Sequence, residues 1–479
     1  MNHKMIFYLT AQIIRAVGVL LLLPVIVAAV FGEMPSLLAF AGTAAGMIVF
    51  GTLVTLKKPE NKAVYAREGM AVVAIAWILM SILGALPYFL SGNIPEFADA
   101  VFETASGLTT TGSTILNDIE AMSHACLFWR AFTHFIGGMG VLMFMLMIMP
   151  QTDTRTMHLV RAESAGPTAG KLVAKMSLSV RILYCIYLTL TVAEMLLLLC
   201  GGMPFFDAIT TAFSTAGTGG FSIRAGSIAD YNSAYIDFIV TLFMALFSVN
   251  FTLYFLVISG RIKQALQNEE LHVFLGITAV SIALITVNIT KIYGSVLTAL
   301  RYAGFQVLTI TSTAGFATAD YTEWPFFSQM ILLILMFVGG CAGSTGGGLK
   351  VMRIMVLCKS AYKEIRTTLS PRSVVVVKCD GRALDKEVVH GIGYYFIVFM
   401  LIMTGSILLL ALDGHDVPTT VTAVITCMNN VGPGLNEVGP SGNFAGFSAW
   451  AKLLLSVDML LGRLEIYPLL VLMTLRKKY

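Results

Sequence analysis

Four short polar tracts interrupt a chain that is otherwise a succession of apolar runs. They read Thr109-Thr-Thr-Gly-Ser-Thr114, Ser214-Thr-Ala-Gly-Thr-Gly219, Ser312-Thr-Ala-Gly-Phe-Ala317 and Asn429-Asn-Val-Gly-Pro-Gly434. The apolar runs lie near 8–31, 36–56, 69–91, 124–149, 180–201, 236–258, 271–290, 325–349, 391–412 and 447–473. Crossing about 30 Å of hydrocarbon takes about 20 helical residues, so each run is a candidate span. Only 12% of the residues are charged, against about 25% in a soluble domain. The chain is therefore expected to be an all-α integral membrane protein with ten candidate spans.

The first run is too long for the apolar region of a cleaved signal and lacks a small-residue cleavage site. Orientation follows from the basic residues. Segments 57–67, 151–181, 259–272, 350–388 and 474–479 hold 23 Lys and Arg, whereas 92–123, 202–234, 291–323 and 413–446 hold three. The second set is expected to face outward, with both termini cytoplasmic. The net charge of +4 restates that asymmetry and is no argument for nucleic acid. Seven cysteines at 126, 185, 200, 341, 358, 379 and 427 show no paired or metal-like spacing and read as small apolar side chains.

The polar tracts recur with a period of roughly 100 residues, the mark of one structural unit used repeatedly. Each unit reads as a long span, a short amphipathic run, a polar tract and a second span. Pro95 suits the start of the first short helix, Pro204 with Asp207 that of the second, and Pro418 that of the fourth; the third lacks the proline. From Pro95 to Gly107 is about 20 Å of helix, too short to cross. It reads as a re-entrant half-helix, with Glu103 to Gly107 at its inner end. Irregular backbone at membrane depth survives only buried in protein or lining a watery cavity. Four tracts entering from one face can satisfy one another around a shared axis, and that arrangement is a pore.

A half-helix ending at mid-membrane points its carbonyl end at the axis, which favours a cation. The tracts beyond supply oxygens: Thr110, Thr111 and Gly112; Thr215, Ala216 and Gly217; Thr313, Ala314 and Gly315; and Asn430, Val431 and Gly432. Four inward carbonyls at each level replace the water of a dehydrated ion, and the glycines allow torsions that a Cβ resists. A single tract would read more readily as close helix packing; four in equivalent places do not.

With these tracts the chain resembles the Trk/Ktr/HKT superfamily of potassium transporters, and within it the TrkH/TrkG group, over essentially its whole length. The tracts look like degenerate potassium-channel filters joined in one polypeptide. The resemblance implies four parallel span–pore-helix–span repeats around a pseudo-fourfold pore, plus two N-terminal spans. The parts are 1–60 for the two N-terminal spans and 61–155, 175–262, 268–358 and 388–479 for the repeats. It implies potassium uptake across a bacterial inner membrane, with K+ as substrate and no organic cofactor. A glycine at 112, where a serine accompanies sodium preference, implies potassium selectivity. Asn430 and Pro433 depart from the pattern in the fourth tract. Partners implied are a second copy of the chain, membrane lipid, and a cytosolic nucleotide-binding ring of the TrkA type, docking on the basic loops 151–181 and 350–388. No enzyme activity is expected, since no nucleophile with its base, metal cluster or nucleotide fold is present. The alternatives are a symporter of K+ with H+ or Na+, or a sodium-permeable member of the same family.

Two features fall below the expected filter. Residues 339–350, Gly-Gly-Cys-Ala-Gly-Ser-Thr-Gly-Gly-Gly-Leu-Lys, contain six glycines, each costing about 1 kcal/mol in a helix. A phosphate-binding loop is excluded, because its Gly-Lys-Ser/Thr ending and preceding strand are missing. Unwound backbone here reads as a flexible plug, Gly339, Gly340, Gly343, Ser344, Thr345, Gly346, Gly347, Gly348 and Lys350, and the resemblance implies a gating loop in the third repeat. Arg463, deep in the last run, is expected to face a cavity and, as in the family, to raise an electrostatic barrier in the pore. Arg130 reads as a snorkelling interfacial residue or a functional one, His134 as a satisfied packing residue, and Gly391-Ile-Gly-Tyr-Tyr-Phe396 as a decoy. Asp99, Glu103, Asp118, Glu120, Asp320, Glu323, Asp413, Asp416 and Glu437 face almost no basic residues in the outer loops and are expected to draw cations to the mouth.

Overall fold

The structure, a computed structural model, describes residues 2–61, 64–140, 176–372 and 375–473. Its regular structure among the described residues is helical apart from one antiparallel pair, Lys378–Cys379 with Arg382–Ala383. Six helices are long and apolar enough to cross a membrane: His3–Phe31, Met34–Thr55, Ala66–Leu90, Val180–Cys200, Glu269–Tyr293 and Lys386–Asp413. The first two form a hairpin, reversed at Gly32, whose φ of 72° is open to glycine. The decoy at 391–396 lies inside the last of the six.

Each of the other four long helices is followed by a half-helix: Phe97–Leu108, Phe205–Gly217, Val296–Thr311 and Val417–Asn429. With 12, 13, 16 and 13 residues, they reach about 18 to 24 Å at 1.5 Å per residue, too short to cross about 30 Å of hydrocarbon. Pro204 precedes the second as its N-cap and Pro418 lies in the first turn of the fourth, while the first begins at Phe97, two residues after Pro95.

The second helix of each unit departs from the expectation of one continuous apolar helix per span. These helices are His124–Gly138, Ala234–Ser248, Phe326–Val338 and Ala449–Arg463, and none exceeds 15 residues. Ala234–Ser248 bends by 91° into Phe251–Ile258, and the Asn250 side chain caps the new helix by accepting the Thr252 N–H at 2.8 Å. Phe326–Val338 runs into irregular backbone through Lys350 before Val351–Leu369 begins. Ala449–Arg463 breaks at 464–466, where Glu465 and Ile466 take positive φ, before Tyr467–Met473. The chain thus has six continuous spans and one bent pair among the described residues. The continuation of the fourth run to 149 and most of the basic loop 151–181 lie outside the described residues.

Apolar side chains such as Val30, Leu38, Val287 and Leu297 are exposed on the outer helix faces, as they would be against lipid. The polar tracts are the reverse. Thr109, Thr110, Thr111, Thr313 and Asn430 are all fully buried at the centre of the helices. All seven cysteines are free thiols.

Candidate functional site

Each half-helix ends in the same cap. A residue turns left-handed: Thr110 at φ 57°, Thr218 at 54°, Thr313 at 60° and Asn430 at 53°. The N–H of the next residue then donates to the carbonyl five residues back, from Thr111 to Ser106, Gly219 to Ser214, Ala314 to Thr309 and Val431 to Thr426, each at 2.9 Å. This is the Schellman arrangement. Threonine is a poor choice for it, because a β-branched side chain at positive φ is strained. Strain repeated at three equivalent positions marks a backbone held for a purpose beyond stability.

The caps align the tracts and correct one of them. Thr215, Ala216 and Gly217 belong to the last turn of the half-helix Phe205–Gly217, so their carbonyls are not in the tract. The residues equivalent to Thr110-Thr111-Gly112 are Thr218-Gly219-Gly220, three positions on. The other three expected tracts, at Thr110 to Gly112, Thr313 to Gly315 and Asn430 to Gly432, have matching caps. Given the observed starts, the half-helices beginning at Phe97, Phe205 and Val417 each place the left-handed residue 13 positions on, and the longer third, beginning at Val296, places Thr313 17 positions on.

With that register the tracts close a ring. A Cβ on Gly112 would overlap the Gly219 carbonyl oxygen, and one on Gly220 the Ala314 oxygen. A Cβ on Gly315 would lie 2.7 Å from the Val431 oxygen, and one on Gly432 2.7 Å from the Thr111 oxygen. Each glycine therefore packs against the carbonyl of the next tract, first to second, second to third, third to fourth and fourth to first. All four have φ between 78° and 101°, so a side chain is excluded twice over. Gly112, Gly220, Gly315 and Gly432 also line one cavity of about 190 Å³. Among the described residues no cluster of three His, Cys, Asp or Glu could hold a metal ion. The donors gathered here are neutral carbonyls and hydroxyls, a set suited to a weakly hydrated monovalent cation.

Beneath the ring lies the glycine-rich loop. Its Gly347 N–H donates to the Thr313 hydroxyl at 2.6 Å, and its Gly348 N–H to the Asn429 carbonyl at 2.9 Å. The break at 249–250 in the neighbouring helix frees groups that the loop takes up. Cys341 N–H donates to Ser248 O at 2.9 Å, the Thr345 hydroxyl to Phe247 O at 3.1 Å, and Phe251 N–H to Gly343 O at 3.1 Å. Irregular backbone at this depth has to be satisfied within the protein, and two broken helices satisfy each other. Lys350 is buried and donates to Gly346 O. Glu270, which the sequence reading overlooked, accepts the N–H groups of Ala342 at 2.6 Å and Met352 at 3.1 Å.

Arg463 is half-buried and bridges this loop to another broken helix. Its Nη1 donates to Thr345 O at 2.9 Å, and its Nη2 to Gly137 O at 2.6 Å and Gly138 O at 3.0 Å. A cation at the carbonyl end of His124–Gly138 also complements the helix dipole. Glu465 pairs instead with Arg353 at 2.5 Å.

The outer charges do not follow expectation. Arg130, read as snorkelling or functional, is 1% exposed and pairs with the fully buried Glu103 at 2.7 Å. Lys452, inside the last apolar run, is buried and pairs with Asp99 at 2.7 Å. Arg224 lies 3.9 Å from Glu120, and His415 sits between Asp413 at 3.6 Å and Glu437 at 2.7 Å. Asp320 accepts the Thr322 N–H at 2.9 Å. Most of the acids are thus engaged, Glu103 and Asp99 by basic residues in segments counted as spans, and the others within the outer loops. His134 is fully satisfied, with Nδ1 2.8 Å from Gly107 O and Nε2 accepting the Phe221 N–H at 3.2 Å.

The TrkH family, described as cation transport proteins, matches residues 37–478. The chain belongs to the TrkH family. It is 38% identical over 421 residues to the Trk system potassium uptake protein TrkH of Salmonella typhimurium, covering 87% of this chain and 86% of that one. It is 32% identical to the TrkG protein of Escherichia coli, over 94% of each. The crystal structure of the potassium transporter TrkH from Vibrio parahaemolyticus superposes with a TM-score of 0.89 at 31% identity, covering 99% of both chains. A multi-pass membrane transport protein, and not an enzyme, is what this membership and the six spans establish.

Proposed function

We propose that this TrkH-family protein takes up potassium across the bacterial inner membrane through a selectivity filter made of four tracts, Thr110 to Gly112, Thr218 to Gly220, Thr313 to Gly315 and Asn430 to Gly432. The observation that carries the reading is the closed ring in which each tract's glycine packs on the next tract's carbonyl. The names of its relatives, potassium uptake proteins, support potassium as the substrate. The loop 339–350, with Arg463, is the gate: it lies directly under the third and fourth tracts and is held by hydrogen bonds that can be exchanged without unfolding a helix. The chain works as a homodimer with both termini cytoplasmic. A cytosolic nucleotide-binding ring moves the gate through the basic segment 350–388, of which Val351–Leu369 continues directly from the loop. Rubidium and sodium uptake in a strain lacking its own potassium uptake tests the reading. The parent should prefer rubidium and Gly112→Ser should lose much of that preference; equal uptake of both ions by the parent would overturn it.

A further inference from the structure

The four junctions between neighbouring tracts are not fastened alike at their outer rim. Between the fourth and first, the Ser113 hydroxyl donates to Gly432 O at 3.0 Å and Phe444 N–H to Thr114 O at 2.8 Å. Between the third and fourth, the Tyr321 hydroxyl donates to Gly434 O at 2.9 Å. Between the second and third, Ala229 N–H donates to Ala317 O at 3.2 Å. These bonds join neutral groups, and the third and fourth are tied as well by the Ser441 hydroxyl donating to the Asp320 carboxylate, which has no basic partner there among the described residues. The first and second tracts are joined through a buried ion pair.

Arg130 is its centre. Its Nε donates to Glu103 at 2.7 Å, its Nη1 to the Ser222 carbonyl at 3.1 Å and its Nη2 to the Thr114 hydroxyl at 3.3 Å. Its guanidinium lies 4.1 Å from the centroid of the Phe221 ring. Glu103 in turn accepts the Thr114 hydroxyl at 3.0 Å and the Ile115 N–H at 3.1 Å. One turn along the same helix, His134 accepts the Phe221 N–H, which leaves its Nδ1 proton to donate to Gly107 O. The helix His124–Gly138 therefore grips the outer end of the first tract at Thr114 and that of the second at Phe221 and Ser222, while Glu103, from the first half-helix, holds Ile115. A planar guanidinium fixes the angles between three acceptors in a way that no other side chain can. Arg130 also lines the cavity that Gly112 and Gly220 line. A bare positive charge there would repel a cation, and Glu103 cancels it at contact distance.

We propose that Arg130, held by Glu103, is a positioning residue that fixes the separation of the first and second tracts at the outer rim and thereby sets the discrimination between potassium and sodium. The inference rests on the filter reading above. A ring whose rim is free to contract closes around the smaller sodium ion as readily as around potassium, and the ion pair prevents that contraction at one of the four junctions.

Two variants test it. Arg130→Lys keeps the charge but cannot reach three acceptors at once. Thr114→Val leaves both charges and removes one acceptor of Arg130 and one donor to Glu103. Initial rates of rubidium and sodium uptake are measured in the same membranes, and their ratio is independent of how much protein is inserted. The ratio should fall about tenfold in Arg130→Lys, equivalent to about 1.4 kcal/mol, and less, in the same direction, in Thr114→Val. Gly112→Ser is run alongside. If it lowers the ratio while an inserted Arg130→Lys or Thr114→Val keeps the parental value, the positioning role is overturned and the filter reading stands. If Gly112→Ser leaves the ratio unchanged, the filter reading falls and takes the inference with it. Should Arg130→Lys fail to insert, Thr114→Val decides by the same criterion.

Discussion

Replacing Arg463 with alanine removes the hydrogen bond to Thr345 O, which restrains the loop, and those to Gly137 O and Gly138 O, which hold the arginine itself in place. A hydrogen bond to a charged group contributes about 1.5–3 kcal/mol. Losing the Thr345 bond should shift the loop toward its displaced position by a factor of about 10 to 100. Rubidium efflux from liposomes carrying the purified protein, without any cytosolic partner, reads that shift as a rise in resting flux of the same order. Arg463→Lys separates the two ways in which the arginine can act. A lysine keeps the positive charge but cannot bridge Thr345 to both helix-end carbonyls. If the bridge matters, Arg463→Lys leaks nearly as much as Arg463→Ala; if charge alone blocks cations, it stays as tight as the parent. Parental resting flux in a correctly inserted Arg463→Ala would refute the gate reasoning.

Three further outcomes follow. Gly220→Ser should lower the rubidium-to-sodium uptake ratio as Gly112→Ser does, whereas Thr215→Val, inside the half-helix, should leave it unchanged; the opposite pattern would restore the uncorrected register. Lys452→Gln leaves Asp99 facing an uncharged partner, and since Asp99 retains some exposure the cost should be about 2–3 kcal/mol, read as a lower thermal midpoint in detergent that Lys452→Gln with Asp99→Asn partly recovers. Asp416 caps the fourth half-helix, and hydrogen bonds from Thr419 and Asn436 hold its carboxyl below the ordinary value. Its stabilisation is therefore present above the unfolded-state pKa of about 4 and lost as the pH falls through the folded value. Asp416→Ala should cost about 1 kcal/mol at pH 7, and the gap between its thermal midpoint and the parent's should narrow at pH 3.

The half-helices and three of the four tracts were legible because they depend on local pattern: a short amphipathic run, then glycine where the backbone turns left-handed. The second tract was placed three residues early because Ala216-Gly217-Thr218-Gly219-Gly220 offers three glycines, and composition alone does not say where a helix ends. Counting 13 residues from the starts of the first, second and fourth half-helices resolves it, whereas the longer third takes 17. The break at residues 339–350 announced itself through six glycines. Those at 249–250 and 464–466 carry neither glycine nor proline and are stabilised by partners distant in sequence, as Phe251 is by Gly343. The buried pairs were invisible for the same reason. Lys452 and Asp99 are 353 positions apart, and an apolar run containing one lysine still counts as a span. Glu270 lies in the first turn of Glu269–Tyr293, where the helix dipole favours any acid, and only the folded chain brings Ala342 and Met352 to its carboxylate.

The central claim is that four carbonyls packed on Gly112, Gly220, Gly315 and Gly432 select the ion. The most direct measurement is the reversal potential of the purified protein in a planar bilayer, with potassium on one side and sodium on the other, for the parent and for Gly112→Ser. The account predicts a parental potential close to that of potassium, moving toward zero in the variant, where a side chain must push the Gly219 carbonyl out of the ring. A parent that reverses near zero, or a variant that reverses with the parent, would contradict it.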